Sequence, residues 1–292
     1  MRALFKALLP VLLLLAGLGY PRTAKAAPDR ARALVERTIA NQHRDDQAIY
    51  TYQRVQRRVS YKGHAIVSDK IYRMVPTGTG HLSLLLARDG RPVSLATYQK
   101  ELRSWESVLL HAINPNDPRE QHSEQLRRQR DRKRARLIDA IGQAFHFTWL
   151  GEKVVDGRTL AHIALDPNPS YHPSSHQTEM LLHARATVWI DVRAAQLVSG
   201  KAEVISNISV GGGLLSQIYP GGWFEVEQRK VAPGIWLPRR TEFSIHGRML
   251  LFPFAEHKLT ETSRYRYVGT PRQALQLVRE ELKSGKMFPG YR

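Results

Sequence analysis

The chain contains no cysteine among its 292 residues. This excludes a cysteine nucleophile, a thiolate metal site, a disulfide framework and the acylated N-terminal cysteine of a lipoprotein. Acidic residues are also scarce, because 26 Asp and Glu stand against 44 Lys and Arg, and the net charge is +18. After residue 26 no apolar run approaches the length of about 18 residues that a membrane-spanning helix needs, so the sequence predicts no integral membrane protein.

The first 26 residues have the pattern of a secretory signal peptide. Arg2 and Lys6 form a basic start, residues 7–18 are almost wholly apolar, and Ala24-Lys25-Ala26 fits a small-x-small cleavage site. The apolar run is too short to serve as a permanent anchor across a hydrocarbon core of ~30 Å. We therefore expect removal of residues 1–26, export to the periplasm, and a mature chain 27–292 with a net charge of +14.

Hydrophobic periodicity predicts helices at 29–47, 95–113, 119–144 and 271–282. Pro115 and Pro118 separate the second helix from the third, because a helix does not run through this segment. Alternating apolar residues predict strands at 49–61, 65–75, 82–87, 145–150, 160–165, 188–192, 196–205, 224–231, 236–246 and 257–267. We expect turns at Gly151 and Asp156-Gly157, and an extended loop from Pro167 to about Thr178.

Short turns join most of these strands, so the sheet should be mostly antiparallel. About 9–11 strands with such connections curl into a barrel or divide into two sheets. The predicted fold class is α+β: a strongly curved, incomplete antiparallel β-barrel covered by helices. No linker divides the chain, so we expect a single domain over 27–292 with a helical insertion around 95–144.

A basic run between residues 127 and 136 is the sharpest local feature of the sequence. Its seven cations, with only Asp131 of opposite sign, are Arg127, Arg128, Arg130, Arg132, Lys133, Arg134 and Arg136. No base-stacking aromatic residues interleave with them, and we expect no nucleic-acid partner for an exported protein. The run predicts either contact with an anionic membrane surface or simply a solvated helix face. Leu126, Leu137, Ile138 and Ile141 are expected to anchor this helix.

No motif predicts catalysis, a metal or a cofactor. His172 and His176 lie four apart in a proline-rich loop, with His162 and His183 nearby in sequence, but such a loop lacks the rigid frame of a zinc site. The triplet 211–213 lacks the Lys-Ser/Thr of a phosphate loop and predicts a turn or bulge. There is no G-x-S-x-G motif. We expect a protein that is not an enzyme, and a hydrolase remains the least favoured alternative.

The last feature of the sequence is the set of apolar and aromatic residues on the predicted strands. They are interpreted either as core packing or as the lining of a cavity for acyl chains, because curled antiparallel sheets of this size can hold one apolar ligand. The candidates for the cavity are Tyr50, Tyr52, Leu84, Phe145, Phe147, Trp149, Trp189 and Trp236. Sequence alone does not distinguish a hollow barrel from a filled one.

The order of elements resembles the LolA/LolB-like superfamily of bacterial periplasmic proteins, whose members are often described as outer-membrane lipoprotein-sorting proteins. The strings that carry the resemblance are Ile49-Tyr50-Thr51-Tyr52, Thr187-Val188-Trp189-Ile190-Asp191 and Gly234-Ile235-Trp236-Leu237-Pro238. The resemblance covers most of residues 29–268, and the stretch 145–169 is similar to an uncharacterised branch. The helices at 95–144 and their basic run depart from the shorter, best-known carriers.

The resemblance implies a curved antiparallel half-barrel closed by helices, with an apolar cavity that holds lipid chains. The absence of an N-terminal cysteine favours similarity to the soluble carrier over the membrane-tethered receptor. We therefore expect a soluble periplasmic carrier or binding protein whose partner is a lipid or an acylated protein. The alternative is an envelope protein-interaction or stress-sensor module without lipid transport. The sequence does not indicate the oligomeric state.

Overall fold

A computed structural model describes residues 28–210 and 215–289 of the chain. The signal-peptide prediction for 1–26 and the glycine triplet 211–213 lie outside the described residues. The helices are α1 (Pro28–Ala48), α2 (Leu95–Ala112), α3 (Pro118–Ala144), α4 (His176–Glu179) and α5 (Pro271–Ser284). The four long helices match the predicted ones to within about two residues.

The strands form one antiparallel sheet of 13 strands. They are β1 (Tyr52–Lys62), β2 (Ala65–Pro76), β3 (His81–Arg88), β4 (Arg91–Pro92), β5 (Phe145–Val155), β6 (Arg158–Pro167), β7 (Ala184–Asp191), β8 (Gln196–Val204), β9 (Ile208–Val210), β10 (Ser216–Ile218), β11 (Trp223–Ala232), β12 (Ile235–Met249) and β13 (Phe252–Tyr267).

The order of strands in the sheet is β4-β3-β2-β1-β13-β12-β11-β8-β7-β6-β5, with β10 paired to β12 and β9 to β10. The terminal strands β4 and β5 do not pair, so the sheet is not closed. The predicted fold class, an incomplete antiparallel barrel covered by helices, is confirmed. The prediction missed β4, β9 and β10, which have two or three residues each and are too short to create an alternating pattern.

Three local predictions were wrong. Residues Ile49–Thr51 form a 3₁₀ turn, so the first strand begins at Tyr52 and not at Ile49. Gly151 is no turn but lies inside β5 at a β-bulge, where its φ of +148° suits a residue without a side chain. The expected loop to Thr178 ends earlier in a short helix, because Ser175 and Thr178 form a capping box.

The chain folds into two compact units. Unit 1 contains the described parts of residues 1–44 and 133–258, and unit 2 contains the described parts of residues 45–132 and 259–292. A single domain over 27–292 therefore stays a prediction.

The core of unit 1 is an apolar layer between helices and sheet. Alternate residues of the strands face it, as in β7, where Ala186, Val188 and Ile190 are buried. From the helices, α1 contributes Leu34 and Val35, and the C-terminal part of α3 contributes residues including Leu137 and Ile141. Leu137, Ile138 and Ile141 therefore anchor α3 as predicted, whereas Leu126 was wrongly included and is 42% exposed.

The core of unit 2 lies between β2, β3 and the helices α2 and α5. Its fully buried members include Leu84 and Leu86 from β3, Leu102 and Leu109 from α2, and Val278 from α5. Thr270 precedes helix α5 and forms a capping box with Gln273, and Pro271 is the first residue of the helix. The helix ends at Gly285, which adopts the left-handed conformation. The capping box and Gly285 therefore define the two ends of α5. The apolar face of the helix packs on the core of unit 2.

Candidate functional site

A small apolar cavity lies inside unit 1, between α1, the C-terminal part of α3 and strands β6 to β8. Its volume is about 30 Å³. The residues that line it are Val35, Thr38, Ile39, Gln42, Ile138, Ile141, Leu165, Val188, Ile190 and Leu197. The Thr38 hydroxyl donates to the Leu34 carbonyl at 2.8 Å, and the Gln42 amide oxygen accepts from Gln228 Nε2 at 2.9 Å. The lining therefore presents almost only carbon.

The volume of this cavity decides what it can hold. Pockets for small molecules typically measure about 300–1,000 Å³, roughly ten times more. A cavity of about 30 Å³ has room for one water molecule or one methyl group. The space between these two helices and strands β6 to β8 is therefore filled in this conformation, and an acyl chain could enter there only if the helices moved away from the sheet.

The structure places the predicted cavity residues of β5 in the core of unit 1. Phe145 is 1% exposed and Phe147 is 7% exposed, and both belong to the apolar cluster. Trp149 packs against the same cluster at its edge, and the Arg30 guanidinium lies 4.1 Å from the centre of its ring. Arg30 also forms an ion pair of 2.7 Å with Glu152. None of the three aromatic residues lines the cavity.

Trp189 was wrongly assigned to the interior. Its neighbours Val188 and Ile190 are buried against the core, so Trp189 points to the opposite face of β7. There it stacks on His162 with ring centroids 4.2 Å apart, and Lys153 Nζ lies 3.9 Å from its ring centre. Burial and Lys153 lower the pKa of His162 below its usual value. Alternation places a tryptophan on one of two faces, but it does not indicate which face is inside.

The remaining cavity candidates also lie elsewhere. Trp236 is 5% exposed but lines a different pocket of unit 1. Leu84 is in the core of unit 2. Tyr52 makes edge contacts with Tyr265 and Tyr267 in unit 2, at centroid distances of 6.3 and 5.6 Å. Tyr50 lies in the 3₁₀ turn before β1 and donates a hydrogen bond of 3.1 Å to Asp131.

Sequence reasoning missed the helical half of the cavity. Val35 and Ile39 on α1, and Ile138 and Ile141 on α3, line it directly. The apolar spacing on both helices is visible in the sequence, but it indicates a packing stripe as readily as a cavity wall. Pairing these stripes with the inward residues of β6 to β8 would have identified the lining.

The basic run lies on α3, and its members differ in exposure. Arg128, Arg130, Arg132, Lys133 and Arg136 are exposed, whereas Arg127 and Arg134 are partly buried. Arg127 forms ion pairs with Glu124 at 2.7 Å and with Asp131 at 3.0 Å, because the three side chains lie on the same side of the helix.

The two ion pairs of Glu124 remove part of the charge of the run. Arg127 and then Arg128 hydrogen-bond to Glu124 and lower the pKa of its carboxyl group to about 2. Arg130 donates to the Thr79 carbonyl oxygen at 2.9 Å. Within the described residues, Arg132, Lys133 and Arg136 have no hydrogen bond or ion pair, so these three side chains are free to meet an external anion.

The histidines do not assemble into a metal site. His172 contacts the Ser170 carbonyl at 3.0 Å, His176 contacts Glu179 at 3.0 Å, and His183 contacts Ser206 at 2.7 Å. Over residues 28–210 and 215–289, no group of three or more His, Asp and Glu side chains could hold a metal ion. Within the same ranges, no helix has the length and apolar character needed to cross a membrane.

Comparison with known proteins gives matches only among solved structures. No family model matches the chain. No curated protein matches it either. A putative outer membrane lipoprotein-sorting protein domain from Vibrio parahaemolyticus is similar at 6% identity and a TM-score of 0.35, covering 82% of this chain and 93% of its own. A LolA superfamily protein from Nitrosomonas europaea has 9% identity and a TM-score of 0.30, covering 84% and 96%.

A DUF1329 family protein from Desulfovibrio piger is similar at 10% identity and a TM-score of 0.30, over 82% of this chain and 93% of that one. The names of two of these three neighbours agree with the family that the sequence resembles. With TM-scores of 0.35 or less, the likeness transfers no ligand, site residue or activity to this chain.

Proposed function

We propose that the protein is an exported, non-enzymatic carrier or binding protein for a lipid or an acylated protein, and that it acts in the periplasm. The observation that carries the proposal is the apolar layer of unit 1, where α1 and α3 cover the sheet around a small cavity lined almost only by carbon. Separating this interface would break mainly apolar contacts among the lining side chains, together with the hydrogen bonds that Asn41 donates to the Ala194 and Ala195 carbonyls and that Gln42 accepts from Gln228.

In this proposal the structure is the closed, empty state. An acyl chain enters between the helices and strands β6 to β8, and it replaces contacts among the side chains that now fill the space. Each buried CH₂ contributes about 0.8 kcal/mol, so ten carbons supply roughly 8 kcal/mol against the cost of opening. The leader sequence supports export, and the exposed cations of α3 support an approach to anionic membrane surfaces.

The test of the acyl site is native mass spectrometry of the exported protein, followed by lipid extraction. Val188→Phe places a ring into the cavity and should abolish co-purified lipid, whereas Thr187→Phe on the opposite face of β7 should retain it. Over-packing costs typically about 1–3 kcal/mol, so a thermal melt must first establish that both variants fold. Parent protein that is always empty, or equal lipid in both variants, would refute the proposal.

The approach to membranes is tested with vesicles. Replacing Arg128, Arg132, Lys133 and Arg136 by Gln should remove binding to anionic vesicles, because each cation near such a surface contributes about 1 kcal/mol. Replacing Lys62, Arg88, Lys100 and Arg103, which are equally exposed cations outside the run, should leave most of the binding. Parent binding should weaken sharply with added salt. If both quadruple variants lose binding equally, only net charge matters and the run has no special role.

A second candidate function is an envelope protein-interaction module. Strand β5 supports it, because this strand of 11 residues ends the strand order and, among the described residues, pairs only with β6. An exposed edge of this length can accept a further strand from a partner. A stoichiometric protein partner that co-purifies without lipid, and that is lost when Thr148 or Leu150 is replaced by Pro, would favour this function over the carrier.

A further inference from the structure

A second and much larger pocket lies in unit 1, on β6, β8, β11 and β12. Its volume is about 550 Å³, within the usual range for small-molecule sites. The residues that line it are Arg158, Val198, Ser199, Glu227, Gln228, Arg229, Lys230, Trp236 and Arg239. It shares no lining residue with the apolar cavity, so an inference about it does not depend on the proposed carrier function.

The lining of this pocket carries four cations and one carboxylate. The carboxylate of Glu227 lies 3.6 Å from Arg239 and 4.0 Å from Arg240, so its charge is already compensated. Within the described residues, neither Arg158 nor Lys230 makes a hydrogen bond or an ion pair. Arg158 and Lys230 therefore give the pocket positive charge that no carboxylate of the described residues compensates, and this favours an anionic ligand.

A further feature positions Arg158. Its guanidinium lies 5.5 Å from the ring centre of Trp236, which is only 5% exposed, so the buried ring holds the cation by a cation–π contact. The Gln228 side chain does not reach the ligand, because its Nε2 donates to Gln42 on α1 and its side-chain oxygen is buried.

We propose that this pocket binds an organic phosphomonoester, such as a sugar phosphate. Arg158 and Lys230 hold the phosphate, because a planar guanidinium matches two phosphate oxygens and an ammonium adds a mobile charge. Val198 and Trp236 supply an apolar wall for the organic part of the ligand. The ligand can be a free sugar phosphate or the headgroup of a phosphorylated lipid, since both present the same chemistry.

The test is isothermal titration of the full mature protein with glucose 6-phosphate, glucose and inorganic phosphate. We expect saturable binding of glucose 6-phosphate, weaker binding of phosphate and none of glucose. Lys230→Gln and Arg158→Gln should each weaken glucose 6-phosphate binding at least about tenfold, in line with the loss of one charged hydrogen bond. Lys230 is exposed, so its variant keeps the test valid if Arg158→Gln fails to fold.

A matched variant separates a site from general attraction to a basic protein. Arg185→Gln removes an exposed cation of β7 outside the pocket and should change the affinity neither for glucose 6-phosphate nor for inorganic phosphate. No saturable binding, or an equal loss in Arg185→Gln and Lys230→Gln, would overturn the proposal.

The two sources of the phosphate are distinguished by competition. Vesicles of phosphatidylcholine with 10 mol% phosphatidic acid should displace bound glucose 6-phosphate if the natural ligand is a lipid headgroup, and should leave it bound if the ligand is soluble. The Lys230→Gln variant serves as the control, since vesicle binding through α3 is unaffected by that change. Displacement by pure phosphatidylcholine vesicles would count against phosphate recognition.

Discussion

The two units differ in the kinds of side chain that they bury. In unit 1 the buried side chains are mainly apolar, and its strand residues alternate inward and outward in a regular way. Its buried ionisable side chains include the carboxylates Asp191 and Glu242. In unit 2 the apolar cluster adjoins buried cations instead: Arg73 is 1% exposed and Arg54 is 4% exposed. Alternation of apolar residues therefore describes unit 1 well, whereas the interior of unit 2 also depends on specific polar partners.

The two buried arginines of unit 2 are themselves unlike. Arg73 donates to Gln53 at 2.9 Å, to Tyr98 at 2.9 Å and to Glu281 at 2.5 Å, and its guanidinium lies 4.4 Å from the ring centre of Phe288. This network joins β2 to α2 and α5. Among the described residues, Arg54 has only the Tyr52 carbonyl as a hydrogen-bond partner, at 3.4 Å, and its Nε has none. Burial lowers the pKa of Arg54, because the charged form loses hydration without a carboxylate in return.

The largest effect should come from Arg73→Met. This change leaves the Glu281 carboxylate, which is 14% exposed, without its cation, and breaking a buried pair in this way typically costs about 3–5 kcal/mol. Urea unfolding should give the loss, and hydrogen-exchange mass spectrometry should place it in α2 and α5. Replacing Glu281 by Leu in the same chain should recover part of it. A loss below about 1 kcal/mol would mean that the core of unit 2 is as apolar in its energetics as that of unit 1.

Leu165→Ala should have a somewhat smaller effect in unit 1. The side chain is 1% exposed beside the cavity, and leucine truncations in cores cost about 2–5 kcal/mol, least where neighbours can relax into the space. The increased exchange should fall on β6 to β8 and α1. If instead α2 and α5 lose protection, the division into two interiors is wrong.

The fold could be predicted from the sequence because most strands and helices are long and periodic. Periodicity and turn residues were enough to predict the helices at 29–47 and 271–282 and the hairpin of β7 and β8. The buried role of Arg73 could not be predicted, because a single arginine in a strand gives no sign of the glutamate that meets it 208 residues later. The pocket at Arg158 was missed for the same reason, since its cations come from β6, β11 and β12.

Arg54→Met should sharpen the contrast with Arg73. Methionine has a similar length but no charge, so the change removes the desolvation cost of a buried cation that no carboxylate partner offsets. Such replacements are often neutral or stabilising by about 1–4 kcal/mol. We expect an unfolding midpoint equal to or above that of the parent protein. A clear loss of stability would indicate that Arg54 is held by interactions comparable to those of Arg73, and the two arginines would then belong to one class.

The smallest effect concerns the ion pair of Glu124 on α3. The bond from Arg127 lowers the pKa of Glu124 to about 2, so the carboxylate is favoured in the folded state. The resulting stability is fully present above the ordinary pKa of a glutamate and is lost as the pH falls through about 2. Because the pair is solvent-accessible, it should contribute less than about 1 kcal/mol. Carboxyl-carbon NMR should therefore find Glu124 titrating near pH 2, and closer to its usual range in Arg127→Gln, where Arg128 still donates to it. A titration in the usual range in the parent protein would mean that Arg127 is free, and the basic run would then carry its full charge.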